Sequence, residues 1–305
     1  MSGRWIKLVT PTSGESLGDT SPPPIVCLGL QGTKGNILKF AVFLKIFKEL
    51  DDGLVKCLGV EKRFGGLRAV NSVDLTLHKG VFSLLIGPNG SGKSTLINLI
   101  SGFYYPDSGK ITMNGVDITY FKPHERFKLG IFRTFQNARV FPSLTVLENL
   151  IMAAGSRRGE NVRFAPIRWN WIIDEKELTM WALRILELVG LDGLRDQQAG
   201  KLSGGQLKLL ELGRVIMSGA KVILMDEPTA GLNPVIAESV LTHIRNAVRE
   251  MSLAALLVEH RLDIAMKYAD KVYAMFNGKV IAEGAPEEVL SIPDVVESYL
   301  GEKLT

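Results

Sequence analysis

A glycine-rich segment at residues 87–95 has the residue types and the spacing of a loop that binds phosphate. It matches the pattern G-x-x-x-x-G-K-[ST] and follows an apolar run, Val81 to Ile86, that predicts a buried strand. Glycines let backbone N–H groups turn toward phosphate oxygens, and a helix that begins at about Lys93 would direct its positive end at the same anion. We expect Lys93 to reach the β- and γ-phosphates of ATP and the Ser94 hydroxyl to bind Mg²⁺. The predicted ATP-binding residues of this segment are Gly87, Pro88, Asn89, Gly90, Ser91, Gly92, Lys93, Ser94 and Thr95.

An acidic pair, Asp226 and Glu227, follows the apolar residues Val222 to Met225. A short continuous apolar run is typical of a strand buried on both faces, so the two acids would emerge at its carboxyl end. In open α/β sheets, ligands bind at this edge. We expect Asp226 to hold Mg²⁺, directly or through water, and Glu227 to polarise the water that attacks the γ-phosphate. Taken alone the pair could equally be a solvated strand end, but a phosphate-binding loop in the same chain favours the catalytic interpretation.

The segment Leu202-Ser203-Gly204-Gly205-Gln206 predicts the start of a helix. Ser203 with Gln206 three residues later forms a capping box. The first N–H groups and the positive end of the helix would face outward there, which gives a second anion site far in sequence from the first. A helix cap without a ligand is the alternative interpretation.

From about Leu54 to its C-terminus, the chain resembles the ABC ATPase family, because the three segments occur in that family's order and Leu202–Gln206 is its signature sequence. The resemblance implies that two cassettes face each other and enclose two ATP molecules. Ser203 and Gly205 would then contact the γ-phosphate held by the partner cassette, and an isolated cassette should hydrolyse ATP slowly. Asn233 stands where the family most often has Asp, although with the following proline it still predicts an N-cap and the first residue of a helix.

Four further residues receive expected roles from the resemblance. Gln136 would link Mg²⁺ and the attacking water to the transmembrane subunit. His260, after the apolar run Ala254–Val258, would contact the γ-phosphate and position the water. Phe64 would stack on adenine, with Val70 packed beside it. A single glutamine, histidine or phenylalanine more often has a surface or structural role, so the motifs around these residues carry the interpretation.

We predict an α/β fold of the ABC ATPase cassette type for residues 54–305. It would contain a phosphate-loop core with a mixed sheet, a helical subdomain at about 125–218 and an antiparallel β region. Residues 1–53 would be an N-terminal extension, made of a disordered leader rich in Ser, Gly, Thr and Pro and a short helix at 36–50. That helix could lie on a membrane surface or a partner. The other interpretation is an extension that the core domain does not need.

Composition excludes several classes of protein. Two cysteines in 305 residues, Cys27 and Cys57, form neither a zinc site nor a disulfide framework and suit a reducing compartment. The net charge of +4 is spread along the chain, and without a dense basic stripe we expect no nucleic-acid partner. No apolar run is long enough to span a bilayer. A role in transport would therefore be that of a peripheral subunit at the cytoplasmic face of the inner (plasma) membrane.

Several stretches narrow the resemblance to the ATPase subunits of branched-chain amino-acid importers. This implies transmembrane permease subunits and a second ABC ATPase subunit (in a homodimer or a heterodimer) as partners, and a substrate-binding protein as an indirect one. The basic and aromatic insertion at 155–175 could face the membrane or the permease, or could be an ordinary solvated loop. A urea or amide importer, a lipopolysaccharide-export ATPase and a soluble non-transport ABC ATPase are the alternatives. The stretches are Arg63-Phe64-Gly65-Gly66-Leu67, Arg133-Thr134-Phe135-Gln136, Leu144-Thr145-Val146-Leu147-Glu148-Asn149-Leu150, Ala230-Gly231-Leu232-Asn233-Pro234 and Tyr299-Leu300-Gly301.

Overall fold

The computed structural model describes residues 55–134, 140–154 and 168–300, apart from the side chains of 168–175 and 298–300. Several sequence predictions lie outside these residues, wholly or in part. They are the extension 1–53 with its helix at 36–50, Cys27, Gln136, the insertion 155–175 and the ending at 299–301.

The described residues alternate between strands and helices. The strands are β1 (Val55–Phe64), β2 (Leu67–Leu77), β3 (Phe82–Ile86), β4 (Ser108–Met113), β5 (Val116–Asp117), β6 (Ile131–Arg133), β7 (Val222–Asp226), β8 (Ala254–Val258), β9 (Lys271–Phe276) and β10 (Lys279–Gly284). The α-helices are α1 (Lys93–Ser101), α2 (Pro123–Leu129), α3 (Val146–Ala153), α4 (Arg168–Leu188), α5 (Gly204–Met217), α6 (Pro234–Glu250), α7 (Leu262–Ala265), α8 (Pro286–Leu290) and α9 (Pro293–Leu300). Single turns of 3-10 helix at Asp192–Leu194 and Ala199–Lys201 precede α5.

Six strands form the central sheet in the order β10-β9-β3-β8-β7-β6. Neighbouring strands are parallel except for β10 and β9, so the sheet is mixed, as predicted. The parallel strands β3, β6, β7 and β8 end at one edge of the sheet. The glycine-rich loop, the acidic pair and His260 lie at the carboxyl ends of three of these strands, so the topology brings these predicted site residues to a common edge.

The side chains of the central strands alternate between two hydrophobic cores. In β3, Leu84 and Ile86 belong to one core and Leu85 to the other, and all three are fully buried. Helices α3 to α6 contribute to the first core, and α1 with the antiparallel strands β1, β2 and β4 contributes to the second. This burial on both faces explains why β3, β7 and β8 are continuously apolar rather than alternating in sequence.

An antiparallel sheet with the order β2-β1-β4-β5 forms the predicted antiparallel region. The strands predicted at Leu54–Val60 and Val70–Leu77 both continue to the hairpin, where Phe64 pairs with Leu67. The sequence pattern stops short because charged residues interrupt the apolar positions near the hairpin. The longer strands place Phe64 at the tip of the hairpin.

The helical part of the chain begins later than the sequence predicts. Helix α2 overlaps the start of the predicted range 125–218 and strand β6 lies within it, but β6 pairs with β7 and belongs to the central sheet. A strand of three residues is too short to give a periodic signal. The helices that follow begin at Val146, where Thr145 caps α3 by accepting a hydrogen bond from the Glu148 N–H at 3.1 Å.

Among the described residues, none of the helices has the length and apolarity needed to cross a bilayer.

A fully buried arginine holds the end of α1. Arg126 donates hydrogen bonds to the carbonyl oxygens of Leu99 and Ile100 in the last turn of α1, and to those of Phe121 and Thr119. A cation at a helix C-terminus complements the partial negative charge of the last carbonyls. Burial lowers the pKa of Arg126 to about 10, which still leaves the guanidinium charged at neutral pH. Arg126 therefore fixes the helix that carries the glycine-rich loop.

Candidate functional site

The glycine-rich loop joins buried strand β3 to α1, as the sequence predicts. Gly92 is the N-cap residue of α1 and has a φ of 104°, in the left-handed region that glycine tolerates. A Cβ atom on Gly92 would lie 2.2 Å from the carbonyl oxygen of Ala69. A side chain is therefore excluded by both the backbone conformation and the close approach of the neighbouring strand.

Lys93 lies folded beneath the loop. Its Nζ donates to the carbonyl oxygens of Gly87 at 2.7 Å and Pro88 at 2.8 Å, and the side chain is 6% exposed. Ser94, the next residue, is exposed at the first turn of α1. The loop thus holds the Lys93 ammonium beneath it and leaves Ser94 exposed at the positive end of a helix, and these are the groups expected of a phosphate-binding loop.

Asp226, at the end of β7, is paired with Arg133 at the end of β6. Arg133 Nη2 lies 3.4 Å from Asp226 Oδ2, and both side chains are largely buried. Arg133 also donates to the side chain of Asn98 in α1 and lies over the ring of Phe103. The guanidinium therefore compensates the charge of Asp226 and connects it to the helix that carries the phosphate-binding loop.

Glu227 and His260 face each other across the ends of β7 and β8. Glu227 Oε1 lies 3.0 Å from His260 Nε2, and the side chains are 31% and 47% exposed. Glu227 has a φ of 53°, which is uncommon outside glycine, and its N–H donates to the carbonyl oxygen of Val258 at 2.9 Å. A carboxylate beside an imidazole can accept a proton from a bound water molecule, which is the chemistry predicted for this pair.

The signature segment begins α5 with the predicted capping box. The Ser203 N–H donates to Gln206 Oε1 at 2.9 Å, and the Gln206 N–H donates to Ser203 Oγ at 3.4 Å. Leu202 and Gly205 are buried, whereas Ser203 and Gly204 are exposed. Helix α5 packs against α3, α4 and α6 and belongs to the helical part of the chain. The exposed N-terminal end of α5 is the feature expected of a second anion site.

Two other predictions concern the first turn of α6 and the base of the nucleotide. Asn233 caps α6, as predicted, by accepting a hydrogen bond from the Ile236 N–H at 2.9 Å.

Phe64, predicted to stack on adenine, is 43% exposed, and its ring centroid lies 5.3 Å from that of Tyr104. Val70 is fully buried in the core beneath the antiparallel sheet, so its contact with adenine stays a prediction. Gln136 lies outside the described residues.

Two family profiles match the chain. The profile "ABC transporter" covers residues 70–230, which include the glycine-rich loop, the signature segment and the acidic pair. The chain belongs to the ABC transporter family. A second profile, "Branched-chain amino acid ATP-binding cassette transporter", matches residues 279–304 of this ABC cassette.

Relatives of the ABC cassette match it over nearly their whole length. The probable branched-chain amino acid transport ATP-binding protein LivG of Archaeoglobus fulgidus is 48% identical over 248 residues, covering 81% of this chain and 95% of the relative. LivG of Methanocaldococcus jannaschii is 44% identical over 253 residues, covering 82% and 98%. BraF of Pseudomonas aeruginosa, a high-affinity branched-chain amino acid transport ATP-binding protein, is 35% identical over 252 residues, covering 82% and 98%. These similarities confirm the predicted family.

Solved structures confirm the predicted fold. A nucleotide-free ATP-binding cassette from an ABC transporter superimposes with a TM-score of 0.67 at 42% identity, covering 81% of this chain and 98% of that chain. An ABC transporter cassette in its ADP conformation gives a TM-score of 0.68 at 41% identity, covering 82% and 99%. The ABC cassette is therefore an α/β ATP-binding domain of this architecture.

Sequence reasoning missed three residues beside the acidic pair and His260. Thr229 and Glu259 are buried and hydrogen-bonded to each other, and Arg261 donates to the carbonyl oxygen of Leu232 at 3.3 Å. Burial raises the pKa of Glu259, the nearby carboxylate of Glu227 acts in the same direction, and the hydrogen bonds from Thr229 oppose both. The signal available in the sequence was the position of Glu259 and Arg261 on either side of His260.

Proposed function

We propose that this ABC cassette hydrolyses ATP and thereby drives the import of branched-chain amino acids through a separate permease. The observation that carries the enzymatic part is the 3.0 Å contact between Glu227 and His260, at the sheet edge that also carries the glycine-rich loop. The importer part is supported by the relatives named for branched-chain amino acid transport and by the profile match at residues 279–304.

In this function the chain's own residues perform the proton chemistry and the charge neutralisation. Glu227 accepts a proton from the attacking water as general base, and His260 holds that water in line with the γ-phosphate. Lys93 exchanges its contacts with the Gly87 and Pro88 carbonyls for phosphate oxygens. The N-terminal end of α1 stabilises the negative charge that develops during the reaction.

The side-chain oxygen atoms of Ser94 and Asp226 at this edge fit Mg²⁺, because the cation prefers oxygen ligands. Ser94, Asp226 and Gln136 would hold the ion, which would neutralise charge on the β- and γ-phosphates. Arg133 compensates Asp226 at 3.4 Å and would have to yield part of this pairing to the ion.

Completion of the site by a second cassette is supported by the exposed N-terminal end of α5, where Ser203 and Gly204 are exposed. Ser203 and Gly205 would contact the γ-phosphate held by the partner, although Gly205 is buried in the single cassette, whether the partner is a second copy or a sister ATPase subunit. The cassette would work as a peripheral subunit at the cytoplasmic face of the inner membrane, bound to permease subunits. A substrate-binding protein would be an indirect partner.

Replacement of Glu227 tests the enzymatic part. We expect Glu227→Gln to lower kcat by about 100-fold or more, since general bases contribute that much, while ATP still binds and stabilises the dimer. The measurements are phosphate release and the molar mass with and without Mg·ATP. Glu250→Gln is the matched control, because Glu250 is exposed on α6 and makes a 3.9 Å ion pair with the exposed Arg184. Unchanged turnover in Glu227→Gln would refute the assignment.

Reconstitution tests the transport part. The full chain would be purified with its co-expressed membrane partners, placed in liposomes and supplied with the substrate-binding protein. We expect leucine, isoleucine or valine to stimulate phosphate release and to accumulate only when ATP is hydrolysed. Stimulation by urea or amides instead of these amino acids would contradict the proposed substrate and leave the ATPase assignment standing.

A further inference from the structure

We propose that Glu259 is a positioning residue for ATP hydrolysis. Its carboxylate joins the loop that begins with Glu227 to the turn that carries His260, and so sets the distance between the base and the histidine. The inference rests on the proposed function, because it assumes that Glu227 and His260 act on the attacking water.

The link is short and buried. Glu259 Oε1 accepts hydrogen bonds from the N–H and from the Oγ1 hydroxyl of Thr229, both at 2.8 Å. Glu259 is 4% exposed and Thr229 is 2% exposed, so water does not replace these bonds. Thr229 follows Glu227 by two residues, and Glu259 directly precedes His260. One carboxylate oxygen therefore holds the two segments that carry the facing side chains.

Two neighbouring hydrogen bonds join the same two segments. On one side, the Glu227 N–H donates to the Val258 carbonyl at 2.9 Å. On the other side, Arg261 Nη1 donates to the Leu232 carbonyl at 3.3 Å. Residues 258, 259 and 261 are thus each bonded to the segment 227–232, and His260 lies between them and faces Glu227. These hydrogen bonds fix the backbone on both sides of His260.

The choice of a carboxylate at this position has an energetic cost. Burial disfavours the charged form of Glu259, and the carboxylate of Glu227 repels it. An apolar side chain of similar size would avoid both effects but would leave two donors of Thr229 without an acceptor. A glutamine would keep the acceptor oxygen without the charge. The inferred role therefore depends on an acceptor oxygen at residue 259, which a glutamine keeps and an apolar side chain lacks.

Steady-state kinetics of the full chain, assembled with its membrane partners, test the inference. We expect Glu259→Ala to lower kcat by about 10- to 100-fold, the loss typical of a misplaced catalytic group, with the KM for ATP unchanged within about twofold. Glu259→Gln should recover most of the lost turnover. Thr229→Val should show the same split between kcat and KM to a smaller extent, and Thr229→Ser should recover it.

Thermal unfolding of each variant accompanies the kinetics, and Thr229→Val replaces Glu259→Ala if the latter does not fold. Wild-type kcat in Glu259→Ala or, in its place, Thr229→Val would overturn the inference. Equal loss in Glu259→Gln and Glu259→Ala, or a kcat loss matched by a rise in KM, would also overturn it. The variant Glu227→Gln distinguishes a failure of the proposed function from a failure of this inference. If it retains turnover, the proposed function fails; if it loses turnover while Glu259→Ala keeps it, only this inference fails.

Discussion

Arg133 and Asp226 form an ion pair between the ends of neighbouring strands β6 and β7, with 3.4 Å between Nη2 and Oδ2. The two side chains are 17% and 14% exposed. Arg133 also donates to Asn98 in α1. The guanidinium therefore compensates the charge of Asp226 and ties β6, the strand that precedes the segment around Gln136, to the nucleotide-binding edge.

Removal of this guanidinium should affect stability and cation binding in opposite directions. We expect Arg133→Met to lower the free energy of unfolding by about 2–3 kcal/mol, because Asp226 loses its compensating charge in a largely buried setting. Mg²⁺ should then restore more stability to the variant than it adds to the wild type. Urea unfolding with and without MgCl₂ measures both effects.

The double variant Arg133→Met with Asp226→Asn is the control for this prediction. Residues in direct contact are not additive, so its loss of stability should be smaller than the sum of the two single losses. Additive losses, or equal stabilisation of wild type and Arg133→Met by Mg²⁺, would contradict the coupling.

Gly92→Ala should disable the phosphate-binding loop. The added Cβ would lie 2.2 Å from the Ala69 carbonyl oxygen, at a φ of 104° that L-residues rarely adopt. The loop must therefore move, and we expect the affinity for a fluorescent ATP analogue to fall by about tenfold or more, as a cost above 1.4 kcal/mol implies. Gly193→Ala is the matched control, because nothing lies within 4 Å of its added Cβ. Wild-type affinity in Gly92→Ala would show that the steric argument is wrong.

Arg126→Met should be among the most destabilising single changes outside the site. The substitution removes the buried donor from the carbonyls of Leu99, Ile100, Thr119 and Phe121, of which, among the described residues, Leu99 alone keeps a second hydrogen bond, from the Gly102 N–H at 3.3 Å. We expect a loss of about 3 kcal/mol or more in chemical denaturation, since each unsatisfied buried group costs about 1–3 kcal/mol. Arg195→Met, at an exposed ion pair with Asp196, should change stability by less than about 0.5 kcal/mol. Similar losses in both variants would contradict the role of Arg126.

Cys57 should make the fold less stable at alkaline pH. Burial raises the pKa of this thiol from 9.0 to about 12, and the nearby Arg126 opposes the shift. The unfolded thiol ionises near pH 9 while the folded thiol keeps its proton, so the stabilising contribution is complete below pH 9 and is lost as the pH rises toward 12.

Urea unfolding between pH 8 and pH 10.5 tests this prediction, with Cys57→Ala as the reference for the other groups that titrate there. Above pH 9 the wild type should lose about 1.4 kcal/mol more per pH unit than Cys57→Ala. Parallel pH profiles of the two proteins would show that the thiol is not held protonated.

The sequence by itself determined the parts of this protein that depend on local patterns. The glycine-rich loop, the capping box of Ser203 and Gln206 and the N-cap at Asn233 each lie within a few residues, because turns, caps and helix starts are set by neighbouring side chains. The continuous apolar runs likewise predicted strands β3, β7 and β8. The order of these segments was sufficient to predict the family.

Only the tertiary structure decided the contacts between segments that lie far apart in the chain. The pair of Arg133 and Asp226, the bond between Thr229 and Glu259 and the buried guanidinium of Arg126 all join residues from different elements. Strand β6, with three residues, belongs to the sheet only because β7 pairs with it. Such contacts depend on the strand order and register, which follow from how the whole core packs, and no local pattern in the sequence encodes them.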